Sequence, residues 1–197
     1  MEISAKMVKE LREATNCGMM DCKKALAECD GDFEKAAEYL LKKGIASAAK
    51  KEGRTTSQGI VGSYIHMGGK VGVLVEVACE TDFVARTDAF QEFVHNVAMH
   101  IAAARPLAVS REEVDSALVE KEKEIYAAQM REQGKPEAMI EKIVVGKVDK
   151  YYSDVVLLEQ KYVKDPDMTI ADYLKSVIGS LGENMQIKRF ARYEIGG

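Results

Sequence analysis

The side chains that could carry out covalent chemistry in this 197-residue chain are four cysteines and three histidines. They are Cys17, Cys22, Cys29, Cys79, His66, His95 and His100. The cysteines form no CxxC pair and no cluster with the histidines, so their spacing indicates neither a zinc site nor a redox pair. An enzyme with Cys79 as nucleophile and His66 or His100 as base is one alternative. Nothing in the sequence places those groups together, and there is no GxxxxGK nucleotide loop, so we expect no enzyme, no cofactor and no metal site.

The tetrapeptide Thr81-Asp82-Phe83-Val84 places a hydroxyl, a carboxylate and an aromatic ring side by side. It follows an alternating apolar run and precedes a helical pattern, so it lies where a strand gives way to a helix. Thr81 or Asp82 would then be the N-cap of that helix, and Phe83 would pack onto the core as a hydrophobic staple. The alternative is that the motif is exposed and contacts a partner. The spacing alone favours the cap and the staple.

Met19 and Met20 stand side by side at a predicted helix start. Their unbranched side chains suit an adaptable hydrophobic contact with a partner. By residue type alone, such side chains are more often part of a core. Both interpretations stay open on the sequence.

The composition is that of a soluble globular protein, with 47% hydrophobic and 30% charged residues. The formal net charge of −4 argues against a protein that neutralises many phosphates, so we expect a protein partner and no direct nucleic-acid binding. A local basic run from Lys42 to Arg54 is typical of a solvated helix end. No apolar run approaches the ~18 residues of a membrane span, and the N-terminus lacks the apolar segment of a signal peptide, so we expect a cytoplasmic protein.

The first 45 residues predict three short helices. Ser4 is a candidate N-cap for the first helix, and Asp32 is a candidate N-cap for the third. The second helix is predicted over about 21–29. Gly44 follows the last apolar positions of the third helix and is predicted to end it. A bundle of this size buries little area, so we expect it to present a surface to a partner.

From Gly59 onward the apolar pattern alternates. Residues 59–67 and 70–79 predict a hairpin around Gly68-Gly69, a two-residue connection that tolerates positive φ angles. Every second residue from Val71 to Cys79 is apolar, so one face of that strand belongs to a core.

The rest of the chain predicts helices and one closing strand. A helix beginning at Thr81 leads into an apolar stripe that stops at Arg105-Pro106. Residues 110–113 predict a capping box that opens a long charged helix, which is broken at 134–136. Two helical stretches within 137–158, a turn at 165–167 and a helix ended by Gly182 follow. The apolar positions of the closing strand are Met185, Ile187, Ala191, Tyr193 and Ile195.

Together these elements predict an α+β fold. An N-terminal three-helix module, similar to a ubiquitin-associated (UBA-like) domain, precedes a core in which helices cover a small antiparallel sheet of about three strands. The predicted divisions are a partner-binding module at 1–45, a linker at 46–58 and a core and dimerisation domain at 59–197. So small a sheet has open edges, and these commonly gain cover from a neighbour, which favours self-association.

Several segments resemble the elongation factor Ts family. Residues 8–15, VKELREAT, and 18–26, GMMDCKKAL, are similar to the N-terminal signature of that family. Residues 72–85, GVLVEVACETDFVA, are similar to its core signature. Shorter similarities at 98–102, 182–184 and 189–196 follow in the family's order, so the resemblance covers nearly the whole chain.

The resemblance implies a translation elongation factor that acts as a guanine nucleotide exchange factor. Such a protein binds elongation factor Tu with its GDP and promotes GDP release by displacing groups around the magnesium and phosphate site. Asp82 and Phe83 would enter the partner's nucleotide-binding domain, with the ring as a wedge, and the N-terminal module would be a second contact. The positions that match family contacts are Thr81, Asp82, Phe83, Val84, Arg12, Met19, Met20, Lys23, His66, Leu181, Gly182 and Val163.

The chain resembles the short form of the family, with one core unit rather than a duplicated core and an inserted coiled coil. This implies that two copies pair as a homodimer and form a two-plus-two complex with elongation factor Tu. Asn16 stands where the family usually has glycine, so the backbone of the loop between the first two helices is expected to differ in shape. After glycine, asparagine is the residue that best tolerates left-handed backbone. The competing function is a plain interaction module that uses the N-terminal helices, with no part for Phe83.

Overall fold

The computed structural model describes residues 3–15 and 17–196, so Asn16 and the consequence of its replacing a glycine lie outside the described residues. The helices are α1 (Ala5–Thr15), α2 (Met19–Glu28), α3 (Phe33–Ala49), α4 (Asp82–Ala85), α5 (Asp88–Ala104), α6 (Ser116–Glu132), α7 (Glu137–Val155) and α8 (Ile170–Leu181). The strands are β1 (Gln58–His66), β2 (Val71–Cys79), β3 (Lys161–Tyr162), β4 (Asp165–Thr169) and β5 (Met185–Glu194). None of the helices in these described stretches is long and apolar enough to cross a membrane.

The predicted α+β architecture is confirmed. Strands β1, β2 and β5 form an antiparallel sheet in the order β1-β2-β5, and α5 packs across β1 and β2 on one face. The main core lies between the sheet, α5 and α8. Phe90, Phe93 and Ile101 are fully buried there, as the apolar stripe of α5 predicts.

Helices α1 to α3 enclose a second, smaller core. The Ser4 hydroxyl accepts a hydrogen bond from the Met7 amide at 3.3 Å, and the Asp32 carboxylate accepts one from the Lys35 amide at 3.1 Å. Leu11 and Leu26 are fully buried between the three helices. The three predicted helices are present, although α2 begins at Met19 rather than near residue 21.

The predicted end of α3 at Gly44 is wrong, because the helix continues to Ala49 and enters the stretch expected as linker. Gly44 lies inside the helix and faces α8. A Cβ at Gly179 of α8 would overlap the Gly44 Cα, so the two helices touch backbone to backbone at this point. Gly44 therefore serves close packing and not termination.

The predicted hairpin is present with a longer connection. His66 pairs with Val71, which leaves residues 67–70 as a four-residue loop rather than the two-residue turn expected. Gly68 and Gly69 have φ angles of 65° and 96°. These are the positive φ angles predicted for the two glycines. The alternating core face of β2 from Val71 to Cys79 is confirmed.

A bulge in β5 changes the expected faces of the closing strand. Ile187 pairs with Val77 and Arg189 pairs with the adjacent Glu76, so one residue of β5 is extra at this point. Since a one-residue slip reverses every later side chain, Met185 and Ile187 are buried, whereas Ala191, Tyr193 and Ile195 point away from the core. The prediction of a single apolar face along the whole of β5 is therefore wrong for the second half of the strand.

Two helix starts differ from the prediction. The helix expected from Thr81 is divided into the single turn α4 and the long α5, and the Thr87 hydroxyl caps α5 by accepting from the Phe90 amide at 3.3 Å. Ser110 makes no capping bond. Instead Asp115 caps α6, and Glu113 accepts a hydrogen bond from the Val109 amide at 3.2 Å.

Helices α6 and α7 form an antiparallel pair with a small core of its own, which includes Val119 and Val148. The base of this helical hairpin is tied to the body by a parallel bridge between Ala108 and Val156. The chain therefore carries a helical hairpin whose turn falls at the predicted break of the long charged helix, between Glu132 and Glu137.

The segment before α8 also differs from the prediction, because residues 165–167 belong to β4, which pairs with β3, rather than to a turn. Thr169 and Asp172 then form a capping box at the start of α8. Gly182 ends α8 with φ 81°, as predicted.

Candidate partner-binding site

The Thr81 to Val84 motif lies where β2 ends and α4 begins. Thr81 has extended backbone, and its hydroxyl oxygen accepts a hydrogen bond from the Val84 amide at 3.4 Å, so Thr81 is the N-cap of the two residues that the sequence left open. The buried thiol of Cys79 donates to the Thr81 carbonyl at 3.1 Å. Burial raises the pKa of this thiol, which favours the protonated form that can donate.

Phe83 does not pack onto the core. Its side chain is 78% exposed, whereas Val84 packs partly against the main core and Ala85 is buried. With Thr81 as N-cap, a hydrophobic staple would use residues 80 and 85, so Phe83 is at the wrong position to be one. The staple interpretation is therefore wrong, and the ring is available for contact with another molecule.

Asp82, the first residue of α4, forms an ion pair with Arg86, the residue directly after this helix. Its carboxylate lies 2.9 Å from the guanidinium of Arg86, and both side chains are well exposed. An exposed pair of this kind contributes little to stability. Asp82 can therefore leave Arg86 for another donor at small cost.

A carboxylate from a distant part of the chain holds the motif. The Thr81 amide donates to Glu183 Oε2 at 3.0 Å, and the Thr81 hydroxyl donates to Glu183 Oε1 at 2.6 Å. Glu183 directly follows Leu181 and Gly182, the last residue and the cap of α8. The structure thus brings the predicted contacts at 181 and 182 together with the Thr81 to Val84 motif.

The residues next to this contact are fixed as well. The Asn184 amide donates to Glu80 Oε1 at 2.6 Å, and the Asn184 side chain donates to the Arg54 carbonyl at 2.9 Å. Asn184 is buried, and its polar side chain is satisfied by that bond. The end of β2, the loop after α8 and the segment before β1 are therefore tied into one junction.

The predicted contacts on the N-terminal helices are all at the surface. Arg12 of α1 and Lys23 of α2 are exposed, and Met19 and Met20 are 47% and 75% exposed. The interpretation of the two methionines as core residues is therefore wrong. Met19 and Lys23 lie four residues apart and so share one face of α2.

A cleft of about 580 Å³ lies between the N-terminal helices and the body. Thr15 and Cys17, which flank the loop before α2, contribute to one wall, and Ala89 in the first turn of α5 contributes to another. The end of α1 and the loop before α2 thus border the same cleft as the start of α5, which follows the motif closely.

His66 and Val163 lie apart from the motif. His66 ends β1 opposite Val71, eight residues along β2 from Cys79, which corresponds to about 26 Å along the sheet. Its ring is exposed and lies 2.9 Å from the Tyr64 hydroxyl. Val163 follows β3 and is 45% exposed. The predicted contacts therefore do not form one continuous patch on a single copy.

A buried histidine, His100, positions Val163. The Val163 amide donates to His100 Nδ1 at 3.3 Å, so His100 carries its proton on Nε2 and donates to Gln160 Oε1 at 3.0 Å. Burial lowers the pKa of His100, which favours this neutral form. The contact joins residues 63 positions apart, and no local pattern in the sequence could have indicated it.

Within the described parts of the chain, no group of three or more His, Cys, Asp or Glu side chains is placed to hold a metal ion. The arrangement offers an exposed ring, an exposed carboxylate and two exposed methionines. These are groups for contact with a protein surface.

Comparisons with known proteins agree with one another. The family model described as Elongation factor TS matches residues 44–197. The chain is 62% identical over 196 residues to Elongation factor Ts of Geobacter metallireducens, which covers 100% of this chain and 91% of that protein. It is 58% identical over 196 residues to Elongation factor Ts of Fervidobacterium nodosum, with 100% of both chains covered. The similarity to these relatives includes the N-terminal helices before residue 44.

Proposed function

Because the chain belongs to the elongation factor Ts family, we propose that it binds elongation factor Tu with its GDP and promotes the release of that GDP. The observation that carries the proposal is the exposed ring of Phe83 on a junction held by hydrogen bonds from three segments. A rigid aromatic side chain contributes a large contact area at low entropic cost. An exposed Phe on a fixed support suits insertion into a partner.

The proposed mechanism is displacement at the nucleotide site of the partner. GDP in such sites is held by backbone donors, a helix N-terminus and magnesium, whose contributions depend on close contact. Phe83 would enter between elements near the magnesium and phosphate groups and shift them. A central anchor of this type contributes about 2–4 kcal/mol, which corresponds to a factor of roughly 30 to 1,000 in a binding constant.

Exchange in this scheme is a linkage between two binding events. The protein and GDP each weaken the other's binding to elongation factor Tu by the same factor. No bond in GDP is broken, so the activity needs neither a catalytic residue nor a cofactor. GTP then displaces the protein from its partner. The proposed place of action is the cytoplasm.

The N-terminal helices would supply a second contact with the partner. Met19, Met20 and Lys23 offer two adaptable apolar side chains and one cation on exposed positions of α2. We assign partner binding to the module of residues 1–45 and dimerisation to residues 59–197.

Pairing of two copies through the outer face of the sheet is part of the proposal. Two rows of this face cross all three strands and are mostly apolar: Ile65, Gly72 and Tyr193 in one, and Ser63, Leu74 and Ala191 in the next. Tyr193 is 69% exposed. Contiguous apolar surface of this kind marks an interface, and an identical face on a second copy would cover it.

A dimer would also account for the separated contacts. His66 and Phe83 lie near opposite ends of the sheet, so one copy could offer Phe83 to an elongation factor Tu while its partner copy offers His66. Two copies would then bind two molecules of elongation factor Tu. This is the two-plus-two complex that the family resemblance implies.

The test is the release of a fluorescent GDP analogue from purified elongation factor Tu. We expect added protein to accelerate release, and the acceleration to saturate with protein concentration. Binding to elongation factor Tu without faster release would support the competing function, a plain interaction module, and would refute the exchange function.

A further inference from the structure

Among the described residues, Glu183 is the one whose side chain accepts hydrogen bonds from both the amide and the hydroxyl of Thr81. The contact spans 102 positions in the sequence. Glu183 is partly buried. Gly182 has left-handed backbone and turns the chain so that the Glu183 side chain reaches the start of α4. Spacing alone could not have indicated this contact.

The Thr81 hydroxyl both donates and accepts a hydrogen bond in this arrangement. It donates its single proton to Glu183 Oε1 and accepts from the Val84 amide. Glu183 therefore sets the orientation of the hydroxyl that caps α4. Without Glu183, the hydroxyl is free to rotate, and the Thr81 amide loses its partner.

Helix α4 depends on this cap more than a longer helix would. It has four residues, and a helix of one turn is not stable on its own, because the cost of fixing the first turn is not recovered. Phe83 lies in that turn. The fraction of molecules that present the Phe83 ring in its binding orientation therefore decreases when the cap's hydrogen bonds are lost.

We propose that Glu183 is a positioning residue for nucleotide exchange, which holds α4 in the orientation that presents Phe83 to the partner. The inference rests on the proposed exchange function. Glu183 acts through Thr81 and Phe83 and need not touch the partner. Glu80, Asn184 and the Arg54 carbonyl fix the loop from which Glu183 reaches the motif.

The test begins with Glu183→Gln, which keeps the size of the side chain but retains one acceptor oxygen in place of two. We expect the protein-stimulated release of GDP to fall about tenfold, since a charge-assisted hydrogen bond is lost. Glu113→Gln is the matched control, because Glu113 also accepts a backbone amide bond, from Val109, elsewhere in the fold. The control variant is expected to retain full exchange activity.

A double-mutant cycle with Phe83→Ala separates positioning from general destabilisation. If Glu183 acts through Phe83, then Glu183→Gln lowers exchange by less than about twofold once Phe83 is already alanine. Its effect on the urea midpoint, by contrast, should be the same in both backgrounds. Thr81→Val, which removes the hydroxyl and keeps the shape, is expected to behave like Glu183→Gln and serves if that variant does not fold.

Two outcomes overturn the inference: wild-type exchange activity in both Glu183→Gln and Thr81→Val, or losses that simply add to the loss from Phe83→Ala. Failure of the wild-type protein to accelerate GDP release is a different result. It would refute the proposed function itself.

Discussion

Phe83 leaves most of its ring in solvent, although its neighbours Val84 and Ala85 turn toward the core. An exposed hydrophobic side chain gains little from burial in the free protein, and in the proposed complex this ring would be buried. The same holds for Met20, which is 75% exposed at the start of α2. At the scale of single residues, the surface thus offers apolar groups that contribute little to folding and are available for binding.

Sequence reasoning reached part of this arrangement. It limited the N-cap to Thr81 or Asp82, because caps are local and depend on residues three apart. Spacing alone favoured a packed Phe83, and only the family resemblance implied an exposed ring, since the outcome depends on where the N-cap falls and on which side of α4 the sheet lies. Glu183 and His100 act over 60 or more positions, so their contacts depend on the tertiary fold.

His100 makes the stability of the free protein depend on pH. Burial lowers its pKa, so the unfolded chain takes up a proton more readily than the folded one. The contribution of neutral His100 is fully present above about pH 6.5 and is lost as the pH falls through the folded-state pKa. We expect urea midpoints to fall between about pH 7.5 and about pH 5.5, and His100→Gln to reduce that fall.

The exposed His95 is the matched control for this prediction. His95→Gln makes the same substitution at an exposed position of the same helix, α5. If His100→Gln and His95→Gln have the same pH dependence, the buried imidazole is not the cause.

At the scale of elements, the departures from the sequence prediction share one physical origin. Helix α3 continues through Gly44 because α8 packs against it, and β5 reverses its apolar face because it bulges beside β2. Periodicity located the helices and the sheet, since it reflects which side of each element is buried. It could not locate a bulge or a helix crossing, which are set by the neighbouring element.

The crossing of α3 and α8 predicts opposite effects for two Gly→Ala changes. Gly179→Ala would place a Cβ against the Gly44 backbone and should destabilise the protein by about 1–3 kcal/mol. A Cβ at Gly44 would meet its nearest atom, Ser176 Cα, at 3.6 Å, which is an ordinary contact. Gly44→Ala should therefore be neutral or stabilise α3 by up to about 1 kcal/mol.

Urea unfolding of the two variants provides the measurement. Equal changes in the free energy of unfolding for Gly44→Ala and Gly179→Ala would contradict the asymmetric packing. The same pair tests how firmly the N-terminal helices are attached, since α8 is the part of the body that α3 contacts most closely.

At the scale of the whole molecule, the outer face of the sheet carries exposed apolar side chains that the main core does not use. The bulge in β5 creates it, because the bulge turns Ala191, Tyr193 and Ile195 outward beside Leu74 of β2 and Ile65 of β1. One local irregularity therefore links the register of a strand to the proposed dimer.

Leu74→Glu tests this interface. Leu74 is 49% exposed near the centre of the outer face, so a carboxylate there would leave the core of the single copy intact and place two like charges in the interface of a dimer. We expect the wild-type protein to sediment as a dimer at micromolar concentration and Leu74→Glu to sediment as a monomer. Val145→Glu, on the exposed side of α7, is the control and should remain dimeric.

A wild-type protein that sediments as a monomer would refute the dimer without affecting the role of Phe83. Leu74→Glu that remains dimeric would move the interface to another surface. In either case, a contact of His66 with elongation factor Tu would need a different explanation. His66 lies about 26 Å along the sheet from the end of β2 that leads to Phe83.

The central claim is that the exposed ring of Phe83 drives GDP release, and the most direct measurement compares Phe83→Ala with Leu107→Ala in the fluorescent GDP release assay. Leu107 is also exposed, at 58%, and lies outside the proposed site. We expect Phe83→Ala to lower stimulated release by at least about 30-fold, with the free energy of unfolding unchanged within about 0.5 kcal/mol, and Leu107→Ala to match the wild type. Stimulated release by Phe83→Ala at the wild-type rate would contradict the claim.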